Sequence, residues 1–94
     1  MFENLDPILH SQVRLAVVSL LVKHAKLDFN TLKSETKATS GNLSVQLKKL
    51  EKEGYIKISK TFKNNYPLTK AEITKKGLNA FENYVKNLKG YIQP

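Results

Sequence analysis

The pattern of apolar residues predicts a first helix after Ser11. Residues 12–25, QVRLAVVSLLVKHA, repeat apolar positions at helical spacing, and Ser11 is a suitable N-cap. One apolar face of this helix comprises Val13, Ala16, Val17, Leu20 and Leu21, and a second comprises Leu15, Val18 and Val22. Because both faces must be kept from water, we expect the helix to be covered on most sides, either by its own chain or, on one flank, by a second copy.

A short helix is predicted over residues 31–37. An extended segment at residues 27–29 precedes it, and Asn30 is the expected N-cap because its side chain can accept a hydrogen bond from the first turn. The main apolar residue of this helix is Leu32, so we expect it to pack through that single side chain.

The next helix is predicted to run from Thr39 to Glu53. The Thr39 hydroxyl can accept a hydrogen bond from the backbone N–H near Asn42, which caps the first turn. Gly54 provides the left-handed residue that ends the helix.

The two faces of the Thr39 to Glu53 helix differ in chemistry. The leucines at spacing i, i+4 and i+7, which we expect in the core, are Leu43, Leu47 and Leu50. The opposite arc and its flanks hold Gly41, Asn42, Ser44, Val45, Gln46, Lys48, Lys49 and Lys52. Small polar residues lie toward the N-terminal end of this arc and lysines toward the C-terminal end. A helix that enters the DNA major groove needs that division of side chains. The alternative interpretation is an ordinary helix face exposed to solvent.

From Tyr55 onward, apolar residues recur at every second position instead of at helical spacing, which predicts β-strands. Residues of one parity in the first strand are Ile56, Ile58 and Phe62, and those of the second strand are Thr69, Ala71 and Ile73. The polar link KNNY at residues 63–66, together with Pro67, is expected to separate the two strands. This segment therefore predicts a hairpin with a flexible basic tip.

A last helix is predicted over residues 75–90, capped by Thr74. Gly77 in its first turn should cost about 1 kcal/mol relative to alanine. The last helix and the second face of the first helix carry more apolar surface than a small domain can cover. We therefore expect a homodimer. The predicted interface residues are Leu15, Val18, Val22, Phe81, Tyr84, Val85 and Leu88.

The order of these elements is α-β-α-α-β-β-α, a mainly α fold with a small β-hairpin. This is the winged helix-turn-helix arrangement, in which the second helix of the pair contacts bases and the hairpin tip contacts the DNA backbone or minor groove. No internal repeat or long linker divides the chain, so residues 1–94 are expected to form a single domain.

Composition supports a nucleic-acid partner and excludes several other classes. Sixteen Lys and Arg against eight Asp and Glu give a net charge of +8, which suits phosphate contact. The chain has no cysteine, hence neither a disulfide framework nor a thiolate metal site. The longest apolar stretch, Leu15 to Val22, is far too short to span a bilayer, and nothing at the N-terminus marks an export signal. We therefore expect a cytoplasmic protein with no membrane partner.

The sequence offers no catalytic or metal-binding pattern. His10 and His24 lie near opposite ends of the first helix and cannot share a metal by local spacing, so they are expected at the surface or at an interface. No nucleophile and base occur together, and no glycine-rich phosphate loop is present. We predict no enzyme activity, no metal and no cofactor.

Two further groups of residues have more than one interpretation. Arg14, the only arginine, could pair with a carboxylate or contact phosphate. The aromatic residues could stack on single-stranded bases, but their spacing favours the core or the dimer interface; they are Tyr55, Phe62, Phe81 and Tyr84.

Three segments together carry a family resemblance. They are HSQVRLAVVSLL, LDFNTLKSETKATSGNLSVQLKKLEKEGYIKISKTF and TKAEITKKGLNAFENYV, of which GNLSVQLKKLEKEGYI is the most specific. From His10 to about Leu88 the chain resembles the stand-alone winged-helix transcriptional regulators of the MarR and ArsR type. The resemblance implies a homodimeric regulator that binds double-stranded DNA through a recognition helix and a wing.

The expected DNA-contacting residues follow from the helix face and from this resemblance. They are Thr39, Ser40, Gly41, Asn42, Ser44, Val45, Gln46, Lys48, Lys49, Lys60, Lys63, Asn64 and Asn65. Asn42 and Gln46 carry amides that suit adenine edges, and Val45 could contact a thymine methyl. Because the wing has no arginine, we expect phosphate contact there rather than minor-groove recognition. A protein-interaction module and a non-specific nucleic-acid binder are the alternatives, and the operator and any small-molecule effector are left unspecified.

Overall fold

The computed structural model describes residues 2–93 and confirms the predicted element order. The elements are α1 (Gln12–His24), β1 (Lys26–Asp28), α2 (Phe29–Thr36), α3 (Ser40–Lys52), β2 (Ile56–Lys63), β3 (Tyr66–Ile73) and α4 (Lys75–Ile92). Only residues 37–39 separate α2 from α3. Lys37 takes a left-handed conformation, with φ 58°, at the end of α2, and this turns the chain into the next helix.

Side-chain caps fix the starts of three helices. The Thr39 hydroxyl accepts a hydrogen bond from the Asn42 N–H at 3.1 Å, and the Thr74 hydroxyl accepts one from Gly77 at 3.0 Å, both as predicted. The prediction that Asn30 caps α2 is wrong. Asp28 is the cap, because its backbone is extended where β1 ends and its carboxylate accepts from the Thr31 N–H at 2.7 Å. Hydrogen bonds from the Thr31 backbone and side chain lower the Asp28 pKa.

The three strands form one antiparallel sheet in the order β1-β3-β2. Asn64 and Asn65 form the hairpin turn with φ 52° and 66°, the two positive angles that a tight two-residue turn requires. Pro67 does not separate the strands as expected but lies within β3, opposite Phe62. Because β1 pairs only with residues 70–72, β3 is an edge strand at Pro67, and its missing N–H costs no ladder bond on the open side.

The far end of the hairpin projects from the body of the protein. All residues from 60 to 67 are exposed. Phe62 was expected in the core or an interface, yet 79% of its surface is accessible, because it lies in the outer part of β2, where every side chain is exposed. We call residues 60–67 the wing.

The core lies where α1 meets α2, α3, α4 and the sheet. Val17, Val18 and Leu21 are fully buried on α1, and the leucine face of α3 is buried as predicted. The remaining core residues are Leu9, Leu32, Tyr55, Ile56, Ala71 and Tyr84. α1 is thus covered mainly by its own chain, while Leu15 and Val22 stay half-buried.

The segment before α1 is tied to the body through polar contacts. The Tyr55 hydroxyl donates to Asp6 Oδ2, and the Tyr91 hydroxyl donates to the Glu3 carbonyl at 2.6 Å. Burial raises the Tyr55 pKa, and the hydrogen bond to Asp6 raises it further. Tyr55 therefore remains a neutral donor that holds this segment against the core.

Gly77 marks the closest approach between α4 and the rest of the chain. A Cβ atom at this position would lie 2.2 Å from the Tyr55 carbonyl oxygen and 3.0 Å from Ile73 Cδ1. The glycine that appears unfavourable from helix propensity thus permits the start of α4 to pack on the chain after α3.

Replacing Gly77 by alanine is expected to destabilise the protein by about 1–3 kcal/mol, because backbone would have to move to admit the methyl group. Helix propensity alone predicts the opposite sign, a gain of about 1 kcal/mol. Urea unfolding followed by circular dichroism measures the difference. Gly41→Ala is the matched control: nothing lies within 4 Å of its Cβ position, so it should be neutral or stabilising. A Gly77→Ala variant as stable as Gly41→Ala would contradict the close packing.

Candidate nucleic-acid interface

The start of α3 is an exposed, uncrowded surface. Ser40, Gly41 and Asn42 are all exposed, and the Cβ position of Gly41 has no atom within 4 Å. The Thr39 cap stabilises the first turn of α3, and the small side chains of that turn face solvent. A helix end of this kind can approach another macromolecule closely, because no bulky side chain holds the backbone away.

The other residues predicted on α3 also lie on its outer face. Ser44, Lys48 and Lys49 are exposed, and Val45 has half of its surface accessible. Gln46 is partly buried, on the flank toward α1. This arrangement follows from the burial of the three leucines on the opposite side, since a helix with one face in the core leaves the other in solvent.

Gln46 belongs to a hydrogen-bonded chain that links α1 to the outer face of α3. Arg14 Nη1 donates to Gln46 Oε1 at 2.5 Å, and Gln46 Nε2 donates to Asn42 Oδ1 at 2.9 Å. We call Arg14, Gln46 and Asn42 the amide relay. No sequence pattern predicts the link between Arg14 and Gln46, because residues 14 and 46 are distant in sequence and no local spacing relates them. The i, i+4 spacing of Asn42 and Gln46 was the one available signal.

Arg14 lies with its guanidinium against the protein. Within residues 2–93 its hydrogen-bond partners are an amide and two backbone carbonyls rather than a carboxylate, and the phosphate contact stays a prediction. Besides Gln46, it donates through Nε to the Ile8 carbonyl at 2.6 Å and through Nη2 to the Pro7 carbonyl at 3.4 Å. The turn before α1 therefore holds the guanidinium beside α3.

The wing lies next to the lysine-bearing side of α3. Lys60, Lys63, Asn64 and Asn65 are exposed. A surface groove runs between α3 and the sheet and joins the two elements; its lining is Phe29, Ser44, Leu47, Lys48, Ile58, Lys60 and Thr69. Lys48 of α3 and Lys60 of β2 line the same groove, so positive charge continues from the helix to the wing.

The residues predicted at a dimer interface fall into two groups. Val18 and Tyr84 are buried within the chain itself. The half-buried group comprises Leu15, Val22, Phe81, Val85 and Leu88. Val22, Phe81 and Val85 line one groove between α1 and α4, together with Leu78, Glu82, Lys86 and Lys89. Val22 of α1 and three apolar side chains of α4 thus meet in this apolar groove.

The histidines lie apart from the outer face of α3. His10 Nδ1 is 3.0 Å from the Tyr84 hydroxyl, which links the turn before α1 to α4, and His24 is exposed at the end of α1. Within residues 2–93, no three His, Asp or Glu side chains lie together as a metal site would require. Over the same residues, no helix is both long and apolar enough to cross a membrane.

Known proteins resemble this chain in sequence and in structure. An uncharacterized protein of Methanocaldococcus jannaschii is 38% identical over 78 residues, which cover 83% of this chain and 85% of the relative. A transcriptional regulator homologue from Pyrococcus horikoshii superposes with a TM-score of 0.84 at 30% identity, covering 90% of this chain and 84% of that one.

More distant structures share the fold. NadR, solved in complex with 4-hydroxyphenylacetate, superposes with a TM-score of 0.74 at 21% identity, over 92% of this chain and 63% of that chain. Residues 13–92 match the family described as the winged helix DNA-binding domain. The match includes all of α2, α3, the wing and α4, and thus both elements of the exposed surface described above, α3 and the wing. The family match, the order of the helices and strands, and the exposed helix beside a basic wing all agree. The chain therefore belongs to the winged-helix DNA-binding domain family.

Proposed function

We propose that this protein is a cytoplasmic transcriptional regulator that binds specific sites on double-stranded DNA as a homodimer. α3 enters the major groove, and the wing contacts the DNA backbone. The observation that carries the proposal is the outer face of α3. Small polar side chains occupy its start, lysines follow, and the groove shared by Lys48 and Lys60 continues the charge to the wing.

The chemistry of α3 fits the two tasks of a recognition helix. Base edges lie at the floor of the groove and require short or amide side chains that can come close, which the start of α3 provides. Phosphates flank the groove and are reached by long cationic side chains such as Lys48 and Lys49. The leucine face cannot take part, because it is buried in the core.

The wing suits non-specific contact with phosphate. Lys60 and Lys63 are exposed on a hairpin arm whose tip is the tight Asn64-Asn65 turn. Lysine is a compact point charge that attracts phosphate from several directions, and it recognises a narrow minor groove less well than arginine. We therefore assign affinity to the wing and base choice to α3.

A homodimer matches both the surface and the task. Helix-turn-helix proteins commonly bind two half-sites through a two-fold dimer, which doubles the number of bases that are recognised. The apolar groove between α1 and α4 lies on elements other than α3 and the wing. Two copies joined there would keep both recognition helices free.

Replacing Asn42 or Gln46 by alanine should weaken binding to a selected duplex by about 1–3 kcal/mol and leave binding to random duplex nearly unchanged. Replacing Lys49 by alanine should weaken both, since it removes a phosphate contact. Fluorescence anisotropy at one fixed salt concentration, with a duplex selected from a random library, measures these effects. Equal losses on both duplexes for the Asn42 and Gln46 variants would show that α3 does not choose the bases.

Replacing Lys60 and Lys63 together by alanine should lower the salt dependence of binding by about one unit of slope for each lost phosphate contact. All duplex sequences should be affected alike. Lys75→Ala is the matched control, because Lys75 is exposed at the start of α4, after the end of β3 farthest from the wing tip. A changed sequence preference in the double variant, or an equal effect of Lys75→Ala, would contradict the assignment of the wing.

Sedimentation at micromolar concentration should show two chains per particle. Val85→Glu should shift the protein to a single chain, because it places a charge in the apolar groove between α1 and α4. Asn83→Glu adds the same charge at an exposed position of α4 outside the residues that line this groove, and it should leave the dimer intact. A wild-type protein that sediments as one chain at high concentration would contradict the dimer.

A further inference from the structure

We propose that Arg14 is a positioning residue that makes α3 present hydrogen-bond donors, so that Asn42 selects guanine rather than adenine. This inference rests on the proposed function, because it assumes that α3 lies in the major groove. It reverses the preference expected from the amides alone. The observation behind it is the amide relay, in which Arg14 contacts Gln46 and Gln46 contacts Asn42.

The chemistry of arginine fixes the direction of the relay. A guanidinium has only donors, so the Gln46 atom that faces Arg14 must be the carbonyl oxygen. The Gln46 NH2 group then faces Asn42, which must offer its own oxygen in return. Reversing either amide would place two donors or two acceptors against each other. One arginine therefore determines the orientation of both amides.

The groups without a partner at this edge are donors. Gln46 Oε1 is occupied by Arg14, and Asn42 Oδ1 is occupied by Gln46. Within residues 2–93 the Asn42 NH2 group has no partner, and Asn42 is exposed. Gln46 keeps a second N–H, since only one is used toward Asn42. The edge of α3 at these two residues thus carries N–H groups without a partner, whereas each amide oxygen already accepts a hydrogen bond and is held toward its donor inside the relay.

The major groove distinguishes bases by their donors and acceptors. Adenine offers N7 as an acceptor and N6 as a donor, so its usual partner is an amide with one free N–H and a free oxygen. Guanine offers two acceptors, N7 and O6, which suit a surface of donors. Because the Asn42 oxygen is directed toward Gln46 and its NH2 group is without a partner, the relay favours guanine over adenine at the base that Asn42 contacts.

Arg14 is held in place by further hydrogen bonds, on the side away from Gln46. Arg14 also donates to the carbonyls of Ile8 and Pro7, and that turn is closed by the Ile8 N–H bond to Asp6 Oδ1 at 2.8 Å. Leu9 in the same turn is fully buried. Because a guanidinium carries N–H donors and no acceptor, Arg14 can only donate to Gln46.

Two variants separate the relay from the fold. Arg14→Met removes the donor and frees Gln46 to reverse its amide. Gln46→Glu keeps an acceptor for Arg14 but can no longer donate to Asn42, so Asn42 should turn its NH2 inward and expose its oxygen. The first tests the anchor, and the second tests the link with the anchor still in place. Circular dichroism and thermal unfolding establish that each variant is folded.

Selection from a random duplex library, followed by affinity measurements with each base at each position, provides the test. Asn42→Ala identifies the contacted position as the one where base preference is lost. The wild type should prefer guanine to adenine there by roughly tenfold. Arg14→Met should bring the two bases close to parity, and Gln46→Glu should favour bases that offer a donor, adenine or cytosine. Lys49→Ala should bind more weakly with the guanine preference intact.

The contrary outcomes are distinct for the two proposals. A wild-type preference for adenine at the Asn42 position, or an unchanged guanine preference in folded Gln46→Glu, overturns the role of the relay while leaving the DNA-binding proposal intact. If Arg14→Met does not fold, the Gln46→Glu result decides. A wild type that binds all duplexes equally, or none, overturns the proposed function and the relay with it.

Discussion

The arrangement of this protein depends on the burial of one helix face. Leu43, Leu47 and Leu50 of α3 are at most 3% exposed in the core around α1. Burying a leucine side chain contributes roughly 1.5–3 kcal/mol, so rotating α3 about its axis would forfeit several kcal/mol. Because the helix repeats every 3.6 residues, that constraint also decides which residues face outward. The candidate interface is therefore a consequence of core packing.

Polar contacts then fix where the helices begin and how closely they approach one another. The caps at Asp28, Thr39 and Thr74 set where three helices begin, and Gly77 lets α4 approach the backbone after α3. The amide relay adds a finer constraint, since it sets how side chains on α3 present their atoms. The same α1 that buries the leucines thus supplies, through Arg14, the group that orients Asn42. Core and interface are connected through a single helix.

The features that sequence alone predicted are those that depend on local periodicity and local chemistry. The element order, the buried leucines, the caps at Thr39 and Thr74 and the exposed arc of α3 followed from spacing and from residue type. The errors arose where tertiary geometry decides. Phe62 shares the parity of buried Ile56, yet it lies on the wing beyond the reach of the core.

Contacts between distant segments had no signal at all in the sequence. The contact of Arg14 with Gln46 and the approach of Gly77 to the Tyr55 carbonyl each join residues that only the folded chain brings together. Two capable caps, Asp28 and Asn30, lie two residues apart, and only the extended backbone at the end of β1 selects the first. Residue spacing thus predicted which side chains of α3 face outward but not how their atoms are arranged.

The central claim, that the outer face of α3 and the wing meet DNA, is tested most directly by an NMR titration of labelled protein with a duplex selected from a random library. Signals from residues 40–49 and 60–65, including the Asn42 side-chain amide, should shift, while those of the groove between α1 and α4 should stay in place. Shifts confined to α4, with the α3 and wing signals unchanged, would contradict the account.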